Sequence, residues 1–294
     1  MYNSINFPNL GIELRNVGSS IRIFGFEIAY YGILIGFGIL LAILLVELEA
    51  KRTGQSSEHY FDLAIWGVIS GVIGSRVFFV IFAWDHYRNN LLSIFDIRGG
   101  GLAIYGAVIF SVATALIYTK RKQLHAPLVL DTGILGLLVG QIVGRWGNFF
   151  NRELFGEYTN NIFAMQIPID RVRASDVTDL MRDNIVRIDN VNFIQVHPTF
   201  LYESLWNTAV LILLLVYIRR KKFDGEIFLL YLLGYGVGRF WIESIRTDQL
   251  LIPGLAIPVS QVVALFCVLV SLFFLIKNHR ELRKTEILPK LEKK

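Results

Sequence analysis

Apolar residues fill seven long runs in this chain, and most charged residues lie in the gaps between them. The runs lie near 23–47, 63–84, 101–119, 127–149, 199–218, 226–245 and 258–276. Each is long enough, or nearly so, to cross a hydrocarbon core about 30 Å thick as a helix. The pattern predicts an all-α polytopic membrane protein with seven transmembrane helices. The polar stretch before the first run has no basic start leading into a short apolar core, so it does not read as a cleaved signal peptide. One gap, roughly 150–198, is long, rich in Asp, Arg and Asn, and contains the strand-like stretches FAMQIPI and NFIQV. It reads as a small head inserted into a single integral membrane domain over 1–294, and 277–294 reads as a solvated tail.

Basic residues cluster in alternate gaps: Lys51 and Arg52, then Lys120, Arg121 and Lys122, then Arg219, Arg220, Lys221 and Lys222, with Lys277, Arg280, Arg283 and Lys284 in the tail. The short connections on the opposite side carry only Arg88, Arg98 and Arg246. The positive-inside bias makes the basic side cytoplasmic, with the N-terminus outside, the C-terminus inside and the head extracytoplasmic. The net charge of +5 is then an orientation signal, and no nucleic-acid partner is expected. A hydrophobic content of 54% excludes an ordinary soluble enzyme. The one cysteine, Cys267, lies inside the last run and reads as a structural thiol. Neither HExxH nor CxxC occurs, so neither a metal nor another cofactor is expected.

Small residues recur at four-residue spacing in the fourth run (Gly136, Gly140, Gly144) and the second (Gly67, Gly71, Ser75), as in closely packed membrane helices. The fourth run ends on GRWGNFFNRELFG, Gly144–Gly156. A charged side chain at bilayer depth costs roughly 2.5–3.5 kcal/mol on insertion scales, so an arginine there faces a partner, water or a substrate. Gln141, Arg145 and Asn148 share one helical face, as do Tyr235, Arg239 and Glu243, with Arg246 continuing the second face at the exit. At 1.5 Å per residue, Arg145 and Arg239 sit on the order of 20 Å from the cytoplasmic ends of their helices. Tyr31 and Tyr105 reach similar depth, which predicts one polar site open to the outer leaflet. The glycine run Gly99–Gly101 opens the third run, whose free N–H groups can hold an anion, although a tight turn is the plainer reading. Arginine binds phosphate through paired donors that lysine cannot match. A structural account competes: Arg239 pairing with Glu243, and Arg145 with Glu153 or Glu203, to hold helices together. Arg76 is open between a site role and a counter-ion role toward a carboxylate such as Asp131. His197-Pro198 reads as an entry turn.

The chain resembles the bacterial prolipoprotein diacylglyceryl transferases. GRWGNFFNRELFG matches that family's GRxGNFxNxExxG, and further matches follow in order: YYGILIG at Tyr30–Gly36, GSRVFFVIFAWDHY at Gly74–Tyr87, GGGLAIYGAVI at Gly99–Ile109, HPTFLYES at His197–Ser204 and YGVGRFWIESIR at Tyr235–Arg246. The resemblance implies transfer of the diacylglyceryl group of phosphatidylglycerol to the lipobox cysteine of a preprolipoprotein signal peptide, at the outer face of the bacterial cytoplasmic membrane. A thioether forms and glycerol phosphate leaves. The family's functional positions fall on Tyr31, Tyr105, Arg145, Asn148, Glu153, Gly156, Tyr235, Arg239, Glu243 and Arg246, and Asn151 and Glu203 lie beside them. On this reading Arg145 and Arg239 stabilise the leaving phosphate, with Tyr105 the third catalytic candidate. Asn148, Asn151 and Tyr31 hold the glycerol headgroup, and Gly156 lets backbone approach the substrate. The partners are phosphatidylglycerol, the signal peptide and the surrounding membrane lipid.

One position departs from the family. Many members have histidine in an HGG motif where this chain has Tyr105-Gly106-Ala107. Tyrosine, with an ordinary pKa near 10, is a poor base at neutral pH. The expectation is that Tyr105 positions phosphate or thiol, while the arginines favour the thiolate. The alternative function is a transporter or flippase for an anionic lipid or solute. Polar residues gathered at one face, without repeat symmetry, argue against it.

Overall fold

The computed structural model of the protein describes residues 3–97, 100–252 and 254–291. Nine helices are present among these residues: α1 Tyr30–Arg52, α2 Ser57–Phe82, α3 Trp84–Tyr87, α4 Ile104–Arg121, α5 Ala126–Asn151, α6 Asp179–Asp183, α7 Thr199–Tyr217, α8 Glu226–Glu243 and α9 Val259–Leu291. Five of them, α1, α2, α5, α7 and α9, are long and apolar enough to cross a membrane. Helix α4 ends on Lys120 and Arg121, and α8 carries Glu226, Arg239 and Glu243 within 18 residues, which lowers the apolar character of both.

The fold is mostly helical but not all-α. The strands are β1 Ile5–Phe7, β2 Ile12–Leu14, β3 Ser20–Ile23, β4 Phe26–Ala29, β5 Met165–Pro168, β6 Val186–Ile188 and β7 Val191–Val196. Five form one antiparallel sheet, in the order β2-β1-β5-β7-β6. The stretches FAMQIPI and NFIQV supply β5 and β7, which pair from Met165↔Val196 to Pro168↔Phe193. The N-terminal strand β1 joins them through Asn6↔Gln166. The sheet closes over an apolar core of Ile5, Phe7, Met165, Ile167, Ile194 and Val196, with Phe149 and Phe200 from α5 and α7.

The first predicted span begins seven residues too early. Residues 23–29 belong instead to the β3–β4 hairpin, whose register runs from Ser20↔Ala29 to Ile23↔Phe26. Its turn has Phe24 at φ 48° and Gly25 at φ 83°, a left-handed pair that a helix does not accept. At the other end, α9 continues as helix through Leu291, so the stretch read as a solvated tail is largely helical.

The chain divides into two compact units: Met1–Ala42 with Ile134–Lys294, and Ile43–Gly133. In the second, α2 and α4 cross with backbone almost in contact. A side chain at Gly106 would lie 2.2 Å from the Gly74 carbonyl, and one at Gly74 would lie 2.5 Å from the Gly106 carbonyl. Of the spaced set in α2, a side chain at Gly71 would lie 2.8 Å from Ser111 Oγ, whereas one at Gly67 would meet open space among the described residues. The glycines of α5 do not behave alike: a side chain at Gly140 or Gly144 would meet open space among the described residues.

Candidate active site

The first unit gathers its charged residues around Glu203. This residue lies in the second turn of α7, on the buried face that runs through Phe200, Glu203, Asn207, Val210 and Leu214. Its Oε2 lies 2.7 Å from Nη2 of Arg145. Its Oε1 lies 3.2 Å from Nη1 of Arg239 and 3.5 Å from Nη1 of Arg246. Arg239 also pairs with Glu243, one turn further along α8, at 2.7 Å. Arg246 is held by Asp248 through two bonds of 2.7 and 3.0 Å. Three guanidinium groups and three carboxylates thus balance in charge over α5, α7, α8 and the turn after α8. Sequence reasoning paired Arg145 with Glu203 or Glu153 and Arg239 with Glu243, but did not find Glu203 as the shared centre or Asp248 as the clamp. Asp248, two residues after Arg246, was the available signal.

Exposure separates the three arginines. The Arg246 side chain is 6% exposed, whereas Arg145 is 21% and Arg239 17% exposed, above a Glu203 that is 4% exposed. Burial works against the Arg246 charge, but the carboxylates of Asp248, Glu203 and Glu243 outweigh it and raise its pKa further. Arg246 is therefore a fixed part of the frame. Arg145 and Arg239 remain partly exposed, with both Nη groups of each already on protein partners.

A polar chain leads away from Arg145. Its Nη1 lies 3.4 Å from Asn148 Oδ1, and Asn148 and Asn151 donate to Glu153 Oε1 at 3.0 and 3.2 Å. This cluster exists because α5 stops sharply. Arg152 and Leu154 take left-handed φ values of 53° and 58°, and the Glu153 N–H turns back to the Asn148 carbonyl at 3.1 Å. Arg152, absent from the expected site, is buried and staples the N-terminal segment to this turn by donating to the Val17 and Asn3 carbonyls. Burial lowers its pKa, and nearby Arg171 adds to the effect.

Three aromatic and glycine positions complete the frame. The Tyr31 ring rests on Gly147, where a side chain would lie 2.1 Å from Tyr31 Cδ2. Tyr235 stacks on Tyr231 with centroids 5.5 Å apart, and Gln141 donates to the Tyr231 hydroxyl at 2.9 Å. Gly156 is tight against protein: a side chain there would lie 2.7 Å from the Ile245 carbonyl and 2.8 Å from His197 Cβ. Its N–H donates to the His197 carbonyl at 2.9 Å. His197 itself does more than turn the chain, since its Nδ1 lies 3.3 Å from Asn161 Nδ2 and 3.2 Å from the Tyr202 hydroxyl.

Tyr105 and Arg76 belong to the other unit. Tyr105 lies in the first turn of α4, with its ring 6.4 Å from Phe78. Arg76 pairs with no carboxylate among the described residues. It donates instead to five carbonyls, those of Ile94, Gly100, Gly101, Ser93 and Asp96, at 2.7–3.0 Å. Its guanidinium carbon also stands 5.1 Å from the Tyr87 ring centroid. Gly100 and Gly101 have φ of 90° and 75°, so they form a tight turn whose carbonyls face a cation, not a helix end whose N–H groups face an anion. Gly99 and Arg98 lie outside the described residues.

A mostly helical chain with several membrane-crossing helices, and with a buried arginine–carboxylate cluster at the shared ends of α5, α7 and α8, defines a polytopic membrane protein with a polar site. The chain belongs to the prolipoprotein diacylglyceryl transferase family: the family model of that description matches residues 19–277. It is 38% identical to the phosphatidylglycerol–prolipoprotein diacylglyceryl transferase of Finegoldia magna over 90% of this chain and 96% of the relative. It is 37% identical to the protein of that name from Clostridioides difficile, over 84% of this chain and 89% of the relative. The identity is also 37% to the one from Bacillus cereus, over 89% and 92%.

Proposed function

We propose that the chain transfers the diacylglyceryl group of phosphatidylglycerol to the thiol of a lipobox cysteine, the reaction class for which its relatives are named. The arrangement that carries this reading is the pair Arg145 and Arg239, both partly open above the buried Glu203. The thiol releases its proton to solvent, a C–S bond forms at the glycerol carbon, and the C–O bond to phosphate breaks. The electron pair leaves with glycerol phosphate. A phosphodiester with one negative charge becomes a monoester carrying about −1.5 to −2. The site must therefore bind the transition state, in which charge grows on the leaving oxygen, more strongly than the substrate, and preorganised guanidinium donors do this without reorganising. Glu203 holds both groups in place and, with Glu243, balances their charge before the anion arrives.

Asn148, Asn151 and Tyr31 are the groups suited to the glycerol headgroup, and Glu153 orients the two asparagines. Tyr235, Glu243, Arg246 and Gly156 frame the site, and Tyr105 positions a substrate group without serving as the base. The membrane arrangement proposed is seven spans, counting α4 and α8, with the N-terminus and sheet outside and the C-terminus inside the bacterial cytoplasmic membrane. The alternation of basic connections supports this orientation. A signal peptide and phosphatidylglycerol are the partners, and the site opens toward the outer leaflet.

The test is a mass spectrum of a lipobox peptide after incubation with purified protein and phosphatidylglycerol vesicles, with glycerol phosphate release followed in parallel. A diacylglyceryl gain on cysteine, matched by released glycerol phosphate, is expected. Folded protein that moves labelled lipid across the vesicle membrane without either product would overturn the reading in favour of a flippase.

A further inference from the structure

Away from the arginine cluster, at the opposite end of α7 and α8, the structure contains an open groove of about 580 Å³. That volume is within the range of about 300–1,000 Å³ typical of small-molecule sites. Helix α8 forms its floor with Leu230, Leu233 and Gly234, α7 forms one wall with Val210, Leu213 and Leu214, and Leu275 of α9 forms the other. The wall positions repeat at helical spacing, so three apolar faces converge on one slot.

The groove has one polar end. Glu226 is 1% exposed there, and it is fully occupied. Tyr217 donates to it at 2.8 Å, the Lys222 N–H donates to its other oxygen, and His279 Nε2 stands 2.8 Å away. Its negative charge is thus already engaged within the protein. Next along the chain from Tyr217 come Arg219 and Arg220, both exposed, on the short helical turn Ile218–Arg220. From Glu226 to Gly234 the floor runs roughly 12 Å at 1.5 Å per residue. Half a hydrocarbon core is about 15 Å. The slot therefore has the depth of one leaflet and an apolar interior, and two exposed arginines follow Tyr217 in the chain at its polar end.

We infer that this groove is a binding site for an anionic phospholipid of the cytoplasmic leaflet. One acyl chain lies between α7 and α9 over α8, and the phosphate lies on Arg219 and Arg220. The inference rests on the proposed membrane orientation, but not on the transfer chemistry. The occupant is distinct from the substrate, because the groove lies toward the basic ends of α7 and α8 while the Glu203 cluster lies at their other ends.

The test uses full-length protein in nanodiscs with phosphatidylglycerol carrying a photoreactive diazirine near the end of its acyl chain, and a phosphatidylcholine probe of the same chain for comparison. Adducts are mapped by peptide mass spectrometry, and diacylglyceryl transfer is assayed on the same samples. The expected result is adducts on 210–217 and 226–234 that are several-fold stronger with the anionic probe. A double variant, Arg219→Gln with Arg220→Gln, should remove that preference. Leu213→Trp, which fills the slot without touching its polar end, should cut adducts several-fold while transfer persists. Adducts spread evenly over the other lipid-facing helices, or equal labelling by both probes, would overturn the inference. Groove adducts from a protein that transfers nothing would uphold it and count against the transferase reading alone.

Discussion

Arg145 Nη2 lies 2.7 Å from Glu203 Oε2, joining the start of the GRWGNFFNRELFG motif to a helix that begins some fifty residues later. The same carboxylate meets Arg239 and Arg246 through its other oxygen. Removing it leaves three guanidinium groups facing one another. Breaking a buried pair from one side costs roughly 3–5 kcal/mol, and the partial exposure of Arg145 and Arg239 places this case toward the lower end. Glu203→Ala is expected to lower the unfolding midpoint in detergent markedly and to abolish transfer. Glu203→Gln should lower the midpoint by less than half as much.

Tyr105→Phe, which removes a positioning hydroxyl but no base, should lower transfer by no more than about tenfold. Peptide mass gain per minute at saturating lipid is the readout. A loss of a hundredfold or more would give the hydroxyl a proton-transfer role.

Arg76 holds the connection before α4 through five carbonyls, and Gly101 leaves no room beside it, since a side chain there would lie 2.5 Å from Arg76 Nη1. Lysine keeps the charge but has three donors. Arg76→Lys is expected to cost roughly 1.5–3 kcal/mol, the range for hydrogen bonds to a charged group. Amide hydrogen exchange over residues 93–101 should quicken at least tenfold, as measured by mass spectrometry.

Burial, partly opposed by Glu157, holds the His197 pKa below its ordinary 6.5. The unfolded chain then binds that proton more readily than the folded one. His197 therefore contributes stability that is fully present above about pH 6.5 and is lost as the pH falls through the lower, folded-state value. Protonation at Nδ1 also removes the acceptor for Asn161 Nδ2. The unfolding midpoint should drop between pH 7.5 and 5, and His197→Gln should flatten that drop.

Much of this molecule was legible because its signals are local. Apolar runs located every long helix, and helical spacing put Gln141, Arg145 and Asn148 on one face and Arg239 and Glu243 on another. The long-range parts were not legible in the same way. Strand β1 pairs with β5 through Asn6↔Gln166, across a separation that periodicity does not see, so the N-terminal stretch read only as polar. The β3–β4 hairpin is apolar enough to pass for the start of a span until Gly25 is given its left-handed φ. Glu203 looked like one partner among several, because only folding brings three arginines from separate segments to it. Arg76 was open between a site role and an ion pair, whereas its partners are main-chain carbonyls, which carry no mark in a sequence.

The central claim is that the Glu203-centred arginines act on a phosphate and are more than a brace between helices. Single-turnover transfer by Arg239→Lys tests it most directly, with the unfolding midpoint measured on the same sample. Lysine preserves the charge facing Glu203 and Glu243 but not the paired planar donors. The account predicts a rate lowered by roughly 10²-fold, the scale of losing a preorganised donor in such a site, with the midpoint nearly unchanged. A near-normal rate at an unchanged midpoint would contradict it and leave Arg239 as a structural counter-ion.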